Sequence, residues 1–186
     1  SHTSRLGKGM VFVLKRLSLP CGKSSKLVTL VIVFCIVILG LCAYGYVVNL
    51  PLMGDDLWQF ATLPTELRQI LVSWRPLMNI VFWVVTRFTR IPHTRILHTI
   101  NLVLHIANGV LSFYVVRGLA IPRRTLVAAS TAFLMVLYPF ASEAVVWVIA
   151  VNHLITTFFV LSSILLYQQS TRESSLSWFY RFLSLI

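Results

Sequence analysis

Charged residues are scarce in this chain of 186 residues, where they make up 11% of the composition, and acids are the rarest of them. There are 5 Asp and Glu residues against 16 Lys and Arg. A soluble domain has about a quarter of its residues charged. With 58% hydrophobic residues and a mean hydropathy of +0.84, the composition therefore excludes a soluble globular domain. The apolar runs are long and continuous, which also excludes a membrane barrel of alternating strands. We predict an all-α fold, a polytopic membrane helical bundle.

Cysteine is also rare, and 3 cysteines do not indicate a disulfide framework. Cys35 and Cys42 fall in one predicted helix, about 10 Å apart along its axis, which is too far for a bridge. The sequence contains no HExxH, GxSxG or phosphate-loop motif and no metal-spaced cysteine cluster. The net charge of +11 is dispersed around apolar runs, so it favours contacts with a membrane surface, and we expect no nucleic-acid partner.

The apolar runs divide the chain into a basic N-terminal segment, residues 1–26, and a transmembrane part, residues 27–186. We predict four spans and the start of a fifth near Leu176, the third span being short. The chain ends inside this last apolar run, so we expect the N-terminal part of a larger polytopic protein. The four spans are predicted at residues 27–48, 94–116, 126–138 and 153–167.

A long first loop, at about residues 49–93, is predicted to carry two short helices. The first covers residues 64–72, with Thr62 as its cap. The second is an interfacial helix that lies along the bilayer. Its apolar residues recur at helical spacing and are Leu77, Ile80, Val81, Val84, Val85 and Phe88.

Basic residues predict the orientation of the chain in the membrane. Residues 1–26 carry six Lys and Arg and no acid, so the positive-inside rule places the N-terminus in the cytoplasm. The first loop then lies on the extracytoplasmic face. We expect an integral protein of a bacterial inner membrane or of the endoplasmic reticulum.

Two of the five acids, Asp55 and Asp56, are adjacent in the segment "VNLPLMGDDLWQF". A solvated turn after Gly54 is one interpretation of this pair. The apolar and aromatic neighbours favour another, a partly desolvated site at the membrane surface. There an Asp can deprotonate an attacking hydroxyl or hold a metal ion.

Further candidates lie in or near the predicted spans. A polar stripe recurs at helical spacing in the second span, and it faces either protein or a wet cavity. If it faces a cavity, His98 and Asn101 line it near Asp55; if it faces protein, the stripe makes helix–helix hydrogen bonds. The stripe consists of Thr94, His98, Asn101, His105, Asn108 and Ser112.

Three other residues are predicted at the outer face. Glu143, after Pro139, is either a helix-start carboxylate or a second acid of the site. Arg75 has a guanidinium that suits phosphate oxygens, although lipid headgroups also explain arginines in this loop. His153, at the outer end of the fourth span, is predicted to donate a further hydrogen bond to the phosphate.

The order of several segments resembles the GT-C type of membrane glycosyltransferase. The likeness is greatest to the protein O-mannosyltransferase-like group that includes the transmembrane and tetratricopeptide-repeat proteins. It covers about residues 27–170, and no single segment carries it alone. The segments are "GDDLWQF", "SWRPLMNIVFW", "HTINLVLHIANGVLSFYVVRGL" and "FLMVLYPFASEAVVWVIAVNHLITTFFVLSSILLY".

The resemblance implies a glycosyltransferase that moves a sugar from a polyprenyl- or dolichyl-phosphate donor to a hydroxyl of a protein, lipid or glycan acceptor on the extracytoplasmic face. Asp55 or Asp56 would be the catalytic base, with inversion at the sugar carbon, and Arg75, His98 and Glu143 would line the pocket. Some relatives use a divalent metal ion such as Mg²⁺ or Mn²⁺, which Asp56 and Glu143 would hold here, and others use none.

This chain departs from the family pattern at Val151 and His153, where relatives often carry Arg followed by an acid. The departure keeps a second function open, a non-catalytic membrane scaffold or assembly subunit related to such enzymes. A transporter is a third alternative. It is less favoured because the polar residues become sparse in the third and fourth predicted spans.

Overall fold

The computed structural model of the chain describes residues 26–63, 66–88, 93–139 and 141–171, and all regular structure in these ranges is helical. A 3₁₀ segment, Gly45–Asn49, continues the first α-helix, and a second one, Val148–Ala150, precedes the last. The α-helices of the described ranges are α1 (Lys26–Tyr44), α2 (Asp55–Ala61), α3 (Leu67–Leu71), α4 (Pro76–Phe88), α5 (His93–Gly118), α6 (Arg124–Leu137), α7 (Ala141–Val146) and α8 (Val151–Ser170).

Three helical stretches of the described chain are long and apolar enough to cross a membrane: Lys26–Asn49, His93–Gly118 and Val148–Ser170. Each reaches roughly 35–40 Å, and a hydrocarbon core is about 30 Å thick. The all-α fold is therefore confirmed for the described residues, and the three stretches support the predicted membrane class. The three stretches coincide with the first, second and fourth predicted spans.

The predicted count of four spans is not confirmed, because α6 has only 14 residues. At about 1.5 Å per residue it is roughly 21 Å long, which is short of the hydrocarbon core. The expected fifth span, near Leu176, and the basic segment 1–25 lie outside the described residues.

Helix α5 is central, and α1, α6 and α8 all pack against it. Two glycines allow this close packing. A Cβ atom on Gly109 would collide with Val136 of α6, and one on Gly40 of α1 would lie 2.6 Å from the Cγ1 atom of Ile106. The core between α1, α5 and α6 is formed by Ile36, Phe113, Ala128, Ala129, Ala132 and Val136.

Interhelical contacts give the helix directions. Asn108 and Val115 of α5 bond to Leu154 and Gln168 of α8, respectively, so α5 and α8 run parallel. Gly40 and Ile36 contact Ile106 and Gly109, so α1 runs antiparallel to α5. We call the end where α5 begins, next to helices α2–α4, the loop end. The end where residues 119–123 connect α5 to α6 is the turn end.

The return from the turn end to the loop end is interrupted. Helix α6 stops at Leu137, and Tyr138 is extended, with φ −61° and ψ 122°. The following Pro139 explains this, since a residue before proline is disfavoured in the helical region. Helix α7 then continues to the level of Asn101, which donates to the carbonyl of Trp147 at 2.8 Å.

The first loop agrees with the prediction only in part. Residues 64 and 65 lie outside the described ranges, and α3 begins at Leu67. Thr62 closes α2 instead of capping the next helix, since its Oγ1 donates to the carbonyl of Trp58 at 2.9 Å. Helix α4 matches the expected interfacial helix in extent. Its buried face contains Met78, Asn79, Phe82 and Val85, whereas Leu77, Val84 and Phe88 are exposed.

Candidate functional site

The two adjacent acids begin α2 and have different surroundings. Gly54, at φ 50°, turns the chain into the helix in a conformation that favours glycine. The side chain of Asp56 is 1% exposed. Its carboxylate accepts hydrogen bonds from the amide of Ile149 at 2.9 Å and the amide of Val148 at 3.3 Å. Asp56 therefore fastens the first loop to the segment that begins α8.

Asp55 is exposed and lines a cavity of about 620 Å³ at the loop end. This Asp55 cavity is bounded by α2, by α4 with the two residues before it, and by one residue of the 3₁₀ segment before α8. It contains one carboxylate, one guanidinium, two indole rings and two amides. Its lining residues are Asp55, Trp58, Gln59, Trp74, Arg75, Met78, Asn79 and Ile149.

Hydrogen bonds fix the two amides of the Asp55 cavity. Gln59 Nε2 donates to Asn79 Oδ1 at 3.0 Å, and Asn79 Nδ2 donates to Ser73 Oγ at 2.9 Å. Ser73 Oγ in turn donates to the carbonyl of Ile70 at 2.6 Å. The chain of bonds joins α2, α3 and α4 into one wall.

Gln59 and Asn79 were not among the predicted site residues. A signal for them exists, because Gln59 follows Asp55 by four residues and Asn79 follows Arg75 by four. Residues four apart share a helix face. The amides could therefore have been found from the positions of the charged residues.

The predicted residues His98 and Asn101 lie deeper than the Asp55 cavity and do not line it. His98 is 0% exposed, close to the Asp56 carboxylate and to backbone carbonyls of the loop and of α7, and neither ring nitrogen is within hydrogen-bonding geometry of a partner. Asn101 Nδ2 donates to the carbonyl of Trp147 at 2.8 Å and, at 3.4 Å, to the carbonyl of Ala144. Asn101 thus connects α5 to the end of α7.

His105, Asn108 and Ser112 of the polar stripe also bond to protein carbonyls, and His105 and Asn108 in addition border a cavity that His153 lines. The His105 ring lies 3.1 Å from the carbonyl of Val136 in α6, and Asn108 donates to the carbonyl of Leu154 in α8 at 3.0 Å. Ser112 donates to Gly109 within α5 at 2.7 Å. The His105 and Asn108 contacts agree with the helix–helix alternative that the sequence left open, whereas the Ser112 bond stays within one helix.

His153 lines a second cavity, of about 570 Å³, between α5, α6, α7 and α8. This His153 cavity is mainly apolar, and it does not include Asp55 or Arg75. Glu143 is exposed in the first turn of α7 and lines neither cavity. The cavity is lined by His105, Asn108, Leu134, Met135, Tyr138, Ala141, Ala144, His153, Leu154 and Thr157.

The residues expected to hold a divalent metal do not fit one. Both carboxylate oxygens of Asp56 accept backbone amides, and Glu143 is on a different helix and exposed. Within the described ranges, no group of three His, Cys, Asp or Glu side chains is placed to bind a metal ion. No catalytic step is therefore assigned to a metal.

The Asp55 cavity combines groups with complementary chemistry. A carboxylate accepts a proton from a hydroxyl, a guanidinium binds phosphate oxygens, and amides bind a polyhydroxylated ligand. All of these groups line one cavity at the end of a membrane bundle. No family model, curated protein or solved structure matches the chain.

Proposed function

We propose that the chain is the catalytic part of a membrane glycosyltransferase. It moves a sugar from a polyprenyl- or dolichyl-phosphate donor to an acceptor hydroxyl. The observation that supports this most is the Asp55 cavity, because an exposed carboxylate and a guanidinium both line it and the chain has three stretches long and apolar enough to span a membrane. The proposal agrees with the resemblance of the sequence to GT-C enzymes.

Asp55 is the base in this reaction, and Asp56 is not. Asp55 is exposed to the cavity, whereas the oxygens of Asp56 are occupied by the Val148 and Ile149 amides. Asp55 takes the proton from the acceptor hydroxyl as its oxygen attacks the anomeric carbon. The bond between that carbon and the phosphate oxygen breaks, and the lipid phosphate leaves with the electron pair.

Arg75 binds the donor phosphate, and the aromatic and amide side chains hold the sugar. A guanidinium presents two donors to phosphate oxygens and stabilises the negative charge that grows on the leaving group. Trp74 is 94% exposed, and its ring borders the cavity. Asn79 is buried and holds the Gln59 amide in place through their hydrogen bond, and Gln59 meets the sugar hydroxyls.

The membrane arrangement supports a lipid donor. The His153 cavity is mainly apolar and is bounded by helices of the bundle, so an isoprenoid chain fits there better than a polar ligand.

Each described cation of the turn end lacks a compensating acid nearby in the described chain. By the positive-inside rule, the turn end is cytoplasmic and the Asp55 cavity extracytoplasmic.

A non-catalytic, lipid-binding scaffold is the second candidate. It is favoured by the structural roles of Asp56, Asn101 and Asn108, each of which bonds to backbone groups of another segment. Under this alternative the same cavity holds a lipid phosphate without transferring the sugar.

The test is sugar transfer by the full-length protein in membranes, measured with a panel of lipid-phosphate sugars. Asp55→Asn keeps the shape of the side chain and removes the base. We expect transfer to fall by about 10²–10⁴-fold, the usual contribution of general base catalysis. Glu66→Gln is the matched control, because Glu66 is an exposed acid of the same loop that does not line the cavity.

The outcomes separate the two candidate functions. Loss of transfer in Asp55→Asn but not in Glu66→Gln supports the enzyme. Equal transfer by wild type and Asp55→Asn would refute the base. Wild type that binds the donors through Arg75 but transfers no sugar would favour the scaffold.

A further inference from the structure

A third cavity lies at the turn end, on the membrane face opposite Asp55. Its volume is about 530 Å³, and α5, α6 and α8 each contribute to it. Its two charged side chains are both arginines. The lining residues are Tyr114, Arg117, Gly118, Arg124, Leu165, Gln168 and Gln169.

The charge around this turn-end cavity is strongly asymmetric. The described cations of the turn end are Lys26, Arg117, Arg123 and Arg124, and two of them, Arg117 and Arg124, line the cavity. All four acids of the described chain belong to α2, the first loop or α7. Glu143 of α7 is level with Asn101 of α5, because the carbonyl of the neighbouring Ala144 accepts from Asn101. That level is about 25 Å from Gly118 along the helix axis. An anion in the cavity therefore meets positive potential with no described carboxylate close by.

The polar groups of the cavity are held in place by neighbouring residues. The guanidinium carbon of Arg117 lies over the Phe113 ring, 5.8 Å from its centre, in a cation–π contact. Gln168 Nε2 donates to the carbonyl of Val115 at 3.1 Å. Gly118 makes room for this amide, because a Cβ atom there would collide with Gln168. Arg117 and Gln168 are thus positioned by contacts with α5, and the cavity lies between three helices.

We propose that the turn-end cavity binds the phosphate of an acidic membrane lipid. Arginine pairs bind phosphate oxygens with directed hydrogen bonds, and basic recesses between membrane helices are a known kind of headgroup site. Leu165 and Tyr114 supply apolar surface next to the arginines, as a lipid requires and a free phosphate does not. This inference does not depend on the proposed sugar transfer.

The experiment measures lipid retained by the full-length protein in a neutral detergent. The protein is mixed with equal amounts of phosphatidylglycerol and phosphatidylcholine, and bound lipid is counted by native mass spectrometry. We expect phosphatidylglycerol to be retained preferentially, and the Arg117→Gln/Arg124→Gln variant to bind it about tenfold or more weakly. Arg123→Gln is the control, since Arg123 is an exposed arginine of the same turn that does not line the cavity.

A second variant guards against loss of folding. Gln169→Glu keeps both arginines and adds a negative charge at an exposed position of the cavity, so it too should weaken retention. Thermal unfolding checks that each variant is folded. Inorganic phosphate is added in a separate arm. If inorganic phosphate displaces the lipid, the site also binds free phosphate from solution. If it does not, the site binds phosphate only as part of a lipid.

Two results would overturn the proposal. One is equal retention of the two lipids by wild type. The other is equal weakening by Arg123→Gln and by the double variant, because it would mean a diffuse positive field without a defined site.

Discussion

Asp55 and Asp56 point in directions about 100° apart, because they are successive residues of a helix. Because of that rotation, the Asp55 carboxylate lines the cavity and the Asp56 carboxylate accepts hydrogen bonds from the backbone amides of Val148 and Ile149. Asp56 therefore has an architectural role, and Asp55 is left open to the cavity, where the proposed function makes it the base.

Substitution of Asp56 should destabilise the protein. Asp56→Ala leaves the amides of Val148 and Ile149 buried without an acceptor, which costs about 1–3 kcal/mol. We expect a lower melting temperature in detergent. Asp55→Ala is the control, because Asp55 is exposed and its removal should leave the melting temperature near that of wild type.

Equal melting temperatures for the two variants would mean that the Asp56 bonds do not stabilise the fold. Such a result would leave the exposure of Asp55 to the cavity as the reason for assigning the base to it rather than to its neighbour.

At this scale the sequence directed attention to the Asp55–Asp56 pair but did not show that the two side chains have different surroundings. The scarcity of acids made the pair conspicuous, and the structure places Arg75 on the same cavity as Asp55. The burial of Asp56 could not be predicted, because its partners are the amides of a segment 92 residues later. His98 and Asn101 were placed on the correct helix face, but nothing in the sequence says whether that face meets a cavity or protein.

At the scale of single helices, close packing is concentrated at glycines. Gly109→Ala should push α6 away from α5, since the new Cβ atom collides with Val136. Overpacking of this kind typically costs about 1–3 kcal/mol. We expect reduced thermal stability in Gly109→Ala and partial recovery when it is combined with Val136→Ala, which removes the obstructing methyl groups.

Gly45→Ala is the matched control for this experiment, because no atom lies within 4 Å of its added Cβ. It should be close to neutral. Failure of Val136→Ala to restore any stability would argue that Gly109 acts through backbone flexibility and not through helix contact.

Helix extents were predicted well where the apolar run was long and bounded by charge. Helix α5 extends only a residue or two beyond its predicted limits. The buried face of α4 was harder to predict, because one side of this helix packs on protein and the exposed side is also apolar. Periodicity shows that a helix has an apolar side, but it does not show whether that side packs on protein or faces outward from it.

At the scale of the whole molecule, charge is divided unequally between the two ends. The turn end has four described cations and no described acid, whereas the loop end has all four described acids together with Arg68, Arg75, Arg87 and Arg95. An excess of positive charge marks the cytoplasmic side of a membrane protein. The loop end should therefore face away from the cytoplasm.

Labelling of single cysteines tests this orientation. In a chain whose native Cys21, Cys35 and Cys42 are changed to Ser, either Glu66→Cys or Arg123→Cys is introduced at an exposed position. A membrane-impermeant maleimide added to intact cells should label Glu66→Cys alone. Arg123→Cys should react only after the cells are permeabilised, and the reverse pattern would place the Asp55 cavity in the cytoplasm.

The bonds between Asp56 and the start of α8 also have a consequence for biosynthesis. Asp56 is made long before its partners, which follow 92 and 93 residues later. At about 5–20 residues per second, translation leaves a delay of roughly 5–20 s between them. During that interval the first loop has already left the ribosome without its anchor. The bonds that join the first loop to this segment can thus form only after residues 148 and 149 have been synthesised.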